Sequence, residues 1–230
     1  MPITANLLAG TGLLRAATPE SIARLARGAS SSEHGEGEVL WRAGEPATAL
    51  TIIRRGLVQI VKHGAPASTL GLFGPRECPG LVAVLGPGRY PADALAVSEH
   101  LELIHVPSAE LQAVLEADHA LAEAARRSLV AASQMLLAKI DVLTAGEVPQ
   151  RLATLFLHLV DRFGDTFADG ETRIPVVLSR SVLARLVGAR SETVIRVMTR
   201  WEREGALRTE RDGFVIRDRE WLVAEQATAS

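Results

Sequence analysis

Three observations predict an α+β chain in two parts. Residues 38–106 break into many short β-type runs, 118–144 read as one helix without Gly or Pro, and 178–217 hold two short helices followed by a hairpin. The first pattern predicts a compact β-roll, the second a connecting helix, and the third a winged helix-turn-helix. The expected domains are therefore 1–117, a linking helix and hinge over 118–146, and 147–230.

The elements follow from local chemistry. Thr18 and Pro19 open a short helix that Gly28 closes. Strands are predicted at 39–41, 50–53, 57–61, 68–73, 81–85, 92–97 and 101–106, separated by Gly44–Pro46, Gly56, Gly64–Pro66, Gly74–Pro75 and Gly86–Gly88. A helix over 108–116 precedes the long one, in which Leu129, Leu136 and Leu143 recur every seven residues. That seam is read as a two-stranded coiled coil, because it lies between two compact units, over the alternative of a helix packed on its own domain. The segment TAGEVP (144–149) ends it. A helix over 150–163, a strand near 173–178, helices at 180–187 and 191–204, and a hairpin of 206–209 with 214–217 turning at Asp212-Gly213 complete the chain.

Bulk properties narrow the function. No run of eighteen apolar residues exists, and the N-terminus lacks a basic segment ahead of a short apolar one, so a cytoplasmic protein without a membrane partner is expected. One cysteine excludes an intrachain disulfide and any multi-cysteine zinc or iron–sulfur site. The net charge is −2, yet residues 179–211 hold eight arginines against four glutamates. That local excess directs attention to nucleic acid.

Within 178–216, Ser179 can cap the first helix, which buries Val182, Leu183, Leu186 and Val187, and Gly188 permits a sharp turn. The second helix buries Val194, Val197, Met198 and Trp201, leaving Ser191, Glu192, Ile195, Arg196, Thr199 and Arg203 on the opposite face. Glu192 and Arg196, one turn apart, could form an ordinary surface pair. In a helix-turn-helix followed by a wing, the preferred reading is that Arg196 forks onto guanine and Glu192 accepts from cytosine in double-stranded DNA.

The run Gly188-Ala189-Arg190-Ser191-Glu192-Thr193-Val194-Ile195-Arg196 resembles the recognition core of the Crp/Fnr family of transcription regulators, Glu-Thr-Val-x-Arg. Segment 148–164 is similar to the helix opening that family's DNA domain, and 37–61 to the start of its cyclic-nucleotide-binding-type β-roll. The resemblance spans roughly residues 20–222 in the expected order. It implies a homodimer held by 118–144 on a palindromic operator, with RNA polymerase as a further candidate partner and no enzymatic activity. It also implies that Glu192 and Arg196 read bases while Ser179, Arg180, Arg190 and Thr193 hold phosphates, with Thr199 and Arg200 completing the DNA face. Ser191 replaces an arginine of the cyclic-AMP-responsive type, and Ile195 a serine of the fumarate–nitrate type.

The sensor part departs from the family pattern. Where cyclic-AMP binders carry Gly-Glu, this chain has Gly80-Leu81, and their phosphate clamp is replaced by Tyr90-Pro91-Ala92, with Arg89 one or two positions out of register. A kept roll with lost cyclic-AMP chemistry is expected. Cys78-Pro79 lies at the same place and is either a half-buried thiol or, in a haem- or redox-sensing reading, a ligand or sensor. The six histidines, at 34, 63, 100, 105, 119 and 158, form no HxH or HxxxH pair. That speaks against the third reading, a metal-dependent β-barrel enzyme.

Overall fold

The computed structural model describes residues 3–62, 68–167 and 170–227. His63 and the expected Gly64–Pro66 breaker lie outside the described residues. The chain divides into two compact units, one built mainly from residues 1–135 and the other mainly from 136–230.

The first unit opens with helix α1 (Ala5–Ala9), a 3-10 turn (Gly12–Ala16) and α2 (Pro19–Gly28), whose Thr18 caps the Ser21 amide as its sequence predicts. Strands β1 (Ser30–His34), β2 (Val39–Trp41), β3 (Ala49–Arg55), β4 (Val58–Lys62) and β5 (Ser68–Phe73) follow. After helix α3 (Leu81–Leu85) come β6 (Asp93–Ala96) and β7 (Leu101–Pro107). They form two antiparallel sheets, β1-β7-β3 and β2-β6-β4-β5. Leu50, Ile52, Val58, Leu103 and Ile104 are fully or almost fully buried in the core they share with Leu8, Leu14 and Leu25 of the N-terminal turns.

Helix α1, the 3-10 turn and, in the second unit, a two-residue strand over 165–166 and a helix over 219–227 were not expected, and two further elements of the roll differ from expectation. Residues 81–85 form a helix, not a strand: Gly80 has φ 80°, and the amides of Ala83 and Val84 both reach back to its carbonyl. Leu81 and Val84 then point inward while Val82 is exposed, so packing at helical spacing overrides the strand preference of β-branched valines. Strand β1 was not expected, because SSSEH holds no apolar residue. Its pairing with β7, from Ser30 opposite His105 to His34 opposite Leu101, makes it a strand.

Helix α4 (Ser108–Ala117) leads into the long α5 (His119–Thr144). Asp118 joins them. One of its carboxylate oxygens accepts the Leu121 amide at 3.0 Å and the other the Thr18 amide at 2.8 Å. The Thr18 amide, foremost among several donors, lowers the carboxyl from 3.8 to about 2.

The second unit begins within α5, whose last turns belong to it: Val142 is buried, and the Leu143 side chain would stand 3.2 Å from a Cβ at Gly188. It continues through α6 (Val148–Phe163), β8 (Asp165–Thr166), β9 (Thr172–Ile174), α7 (Arg180–Val187), α8 (Ser191–Arg203), β10 (Leu207–Glu210), β11 (Gly213–Ile216) and α9 (Arg219–Ala227). The strands form one antiparallel sheet ordered β10-β11-β9-β8. Among the described residues, no helix is long and apolar enough to cross a membrane.

Asp118→Ala should lower stability by about 1 kcal/mol through loss of the cap, as read by urea unfolding at pH 7. Because the folded carboxyl titrates below its ordinary value, this contribution is full above about pH 4 and disappears as pH falls toward 2. A difference between wild type and Asp118→Asn that does not shrink across that window would refute the assignment.

Candidate functional site

Helices α7 and α8 meet at Gly188, whose φ of 64° makes the turn that a side chain would strain. Ser179 caps α7 by accepting the Val182 amide at 3.3 Å. The other end of α7 is held by side chains from neighbouring helices. Lys139 Nζ donates to the carbonyls of Leu186 and Arg185, and Arg151 reaches that of Val187 at 3.5 Å. These cations sit where the carbonyl end of a helix is partially negative. Burial lowers the Lys139 ammonium to about 8.

Helix α8 buries Val194, Val197, Met198 and Trp201 at helical spacing. Trp201 is fully buried against Phe156 of α6, edge to face at 6.1 Å, and against Trp221 of α9 at 5.5 Å. Phe156 also meets Phe214 of the wing at 5.1 Å. Helices α6 and α9 therefore grip the inner face of α8, and the wing backs that contact through Phe156. The rotation of α8 is fixed, and Glu192, Ile195, Arg196 and Thr199 are exposed on the outer face. Glu192 and Arg196 do not pair with each other, and among the described residues Arg190, Arg196 and Arg203 have no acidic partner. The side chains stand free.

An open groove of about 680 Å³ runs along the helix-turn-helix, lined by Ser181, Arg185, Arg190, Ser191, Glu192 and Thr193. A second, of about 520 Å³, lies between the start of α6 and α8, and Arg151, Arg196, Arg200 and Arg203 line it. Arg151 was missed from the sequence because no local motif marks it; only packing of α6 beside α8 brings it to the groove.

Two expected DNA residues are engaged within the unit. Arg180 donates to Thr209 Oγ1 of the wing at 2.8 Å, stands 3.7 Å from Glu202 and lies over the Phe214 ring. Arg200 is ion-paired with Glu225 of α9, whose carboxylate also faces the Trp201 indole N–H at 3.4 Å. Both arginines join elements of the domain to one another.

A family model described as a Crp-like helix-turn-helix domain matches residues 150–225, and one described as a cyclic nucleotide-binding domain matches 33–118. The chain belongs to the Crp/Fnr family. It is 27% identical over 219 residues to a CRP-like cAMP-activated global transcriptional regulator of Mycobacterium tuberculosis, covering 94% of this chain and 97% of that one. It is 28% identical over 181 residues to the transcriptional activator protein FnrA of Stutzerimonas stutzeri, covering 76% and 71% respectively. Its fold is shared by FixK2 from Bradyrhizobium japonicum, with a TM-score of 0.75 at 19% identity over 88% of this chain and 99% of that one. This Crp/Fnr protein is thus a transcription regulator with a cyclic-nucleotide-binding-type β-sheet domain, a long helix and a helix-turn-helix DNA-binding domain.

In the regulator's roll, two of the residues expected at the effector pocket, Tyr90 and Leu81, are buried, whereas Arg89 is exposed. Tyr90 is buried and stacks on Trp41, ring centroids 4.3 Å apart and 15° from parallel. A Cβ on Gly80 would lie 2.7 Å from the Tyr90 ring, so the missing side chain makes room for the tyrosine. Burial raises the Tyr90 phenol, with Thr51 opposing as hydrogen-bond partner and Glu45 adding to the rise. Leu81 is buried, and Arg89 points to the outer loop, donating to the Gly44 carbonyl at 2.7 Å. Cys78 packs beneath the N-terminal turns, where its sulfur accepts the Leu13 amide and burial pushes the thiol up to about 12. A thiol kept protonated is a poor nucleophile and metal ligand, so this environment gives the haem or redox reading no support.

Along α5 the expected seam residues face different ways. Leu129 is partly buried against the roll core, Leu143 lies by Gly188, and Leu136 is exposed. Val130, Leu137 and Ile140 are also exposed, each by more than half.

Proposed function

We propose that this regulator binds a two-fold symmetric operator as a homodimer, with α8 of each protomer in a major groove. The observation that carries the reading is the rotation of α8. Burial of Trp201 and its stripe leaves Glu192, Ile195 and Arg196 outward, one turn from the helix N-terminus, where a recognition helix meets base edges. Arg196 is assigned to a guanine, Glu192 to a cytosine and Ile195 to a thymine methyl. Ser179, Arg190, Ser191, Thr193 and Thr199 are assigned to the surrounding backbone, with Arg151 and Arg203 added from the second groove. Arg180 and Arg200 are assigned to holding the wing and α9 in place.

The dimer contact is assigned to the exposed stripe of α5. Val130 and Leu137 are seven residues apart, Ile140 lies one turn on, and Ser133 fills the position between. A second copy covering the stripe removes three large apolar side chains from water.

Cyclic AMP is not proposed as effector, although the mycobacterial relative carries cAMP activation in its name. Tyr90 is buried in a stack with Trp41, Leu81 cannot accept from a ribose hydroxyl, and Arg89 is turned to the Gly44 carbonyl. A buried phosphodiester without a cation is costly.

Three outcomes are expected. Arg196→Ala should weaken operator binding by about 1–3 kcal/mol and relax preference at one G·C pair in each half-site. Half-sites selected from random DNA should stand about one helical turn apart. Equal loss on operator and random duplex would count against base reading. The pair Leu137→Asp, Ile140→Asp should sediment as a monomer and lose operator affinity, since a monomer engages one half-site; a dimeric double variant would move the contact elsewhere. Calorimetry with cyclic AMP should show binding about two to four decades weaker than a micromolar sensor, whereas micromolar binding abolished by Arg89→Ala would restore the nucleotide site.

A further inference from the structure

The last four carbonyls of an α-helix receive no amide from a further turn of the helix itself. In α7 they belong to Ala184, Arg185, Leu186 and Val187. The Ala184 carbonyl accepts from the amides of Gly188 and Ala189, the latter at 2.9 Å. The other three are met by side chains of the two long helices that precede α7. Lys139 Nζ of α5 donates to the carbonyls of Leu186 and Arg185, the second at 3.4 Å, and Arg151 Nη1 of α6 reaches that of Val187 at 3.5 Å. Arg151 Nε also donates to the Gly146 carbonyl at 2.7 Å, in the loop between the same two helices.

We propose that Lys139 is a positioning residue for base reading: with Arg151 it closes the carbonyl end of α7 and fixes the turn from which α8 starts.

The proposal rests on the reading of bases by α8. Only Gly188, Ala189 and Arg190 separate the clamped carbonyls from Ser191, where α8 begins. Glycine takes left-handed and right-handed backbone conformations with similar ease, so the φ of 64° at Gly188 has to be held by its surroundings. Those surroundings are the same two helices: a Cβ on Gly188 would stand 3.2 Å from Leu143 of α5 and 3.9 Å from Arg151 Nη1. Cations are suited to the task, because the carbonyl end of a helix is partially negative. Glu192 and Arg196 lie in the first two turns of α8, nearest the turn, whereas Trp201 anchors the far half. A turn that frays therefore reaches the reading residues first.

Lys139 stands between Leu137 and Ile140 in sequence, yet at about 100° per residue it faces away from them. They are exposed in the stripe assigned to the dimer contact, while the lysine reaches α7. One stretch of α5 thus carries the contact to a second copy on one side and the clamp on the other.

The test uses the full-length protein at pH 7. Lys139→Met keeps the length of the side chain and removes its donors. Without DNA, hydrogen exchange followed by NMR should show the Gly188 and Ala189 amides exchanging about tenfold faster, while the Met198 amide in the buried stripe keeps its rate. With DNA, the ratio of operator to random-duplex affinity should fall about tenfold. Random-duplex affinity itself should stay within about twofold, because the phosphate contacts are untouched. Lys139→Arg, which keeps charge and donors, should recover most of both effects. The chain has one other lysine, Lys62, exposed at the end of β4, and Lys62→Met should change neither.

Unchanged exchange at Gly188 and Ala189 overturns the clamp, as does a Lys139→Arg variant that recovers neither effect. Equal acceleration at Met198 makes Lys139 a contributor to general stability and overturns the positioning role. A ratio kept in Lys139→Met but lost in Arg196→Ala overturns that role alone. A ratio kept in both variants overturns base reading by α8, and the role with it.

Discussion

The burial of Trp201 is the constraint on which the DNA-binding unit depends. One indole, held between α6 and α9, sets the rotation of α8 and decides which residues of a nine-residue motif face outward. Phe156 extends the same contact to Phe214, so the wing is registered against the helix it flanks. A smaller residue at 201 would leave a cavity and release that rotation, which is why the packing and the reading of bases are one problem here.

The helix-turn-helix was legible because its signals are local. Ser179 as cap, Gly188 as turn and an i, i+3, i+4, i+7 apolar set place α7 and α8 almost to the residue. Signals that depend on tertiary pairing were not. Strand β1 has no apolar residue and exists because β7 offers an edge, while α3 is helical despite its valines because only that conformation turns Leu81 and Val84 inward. The arginines divide in the same way. Composition marks the cluster, but only side-chain geometry separates Arg196, which is free, from Arg180 and Arg200, which bind their own domain.

The seven-residue repeat in α5 carries a related lesson. Leu129 and Leu143 share the period of Leu136, yet they pack on the roll and beside Gly188 respectively. A leucine repeat reports an apolar period without saying which partner takes each face. Leu136 itself is exposed, and burial adds Val130, Leu137 and Ile140 to it, which the seven-residue period alone did not mark.

In the β-roll, the residues expected at the effector pocket pack against one another. Tyr90, at the position the sequence resemblance assigns to a phosphate clamp, stacks on Trp41, and Gly80 leaves it room to do so. A phenol in that position removes the charge a phosphodiester needs, yet it supplies a hydroxyl that must find a buried partner. Thr51, which opposes the rise in the Tyr90 phenol, is its nearby polar partner, and His105 Nδ1 stands 3.3 Å from the Thr51 hydroxyl. His105 continues through Ser32 and His34 to the exposed Glu38, so these polar contacts lead from the half-buried sheet face to the surface. Such a line ends where water can complete it, and here it ends at Glu38.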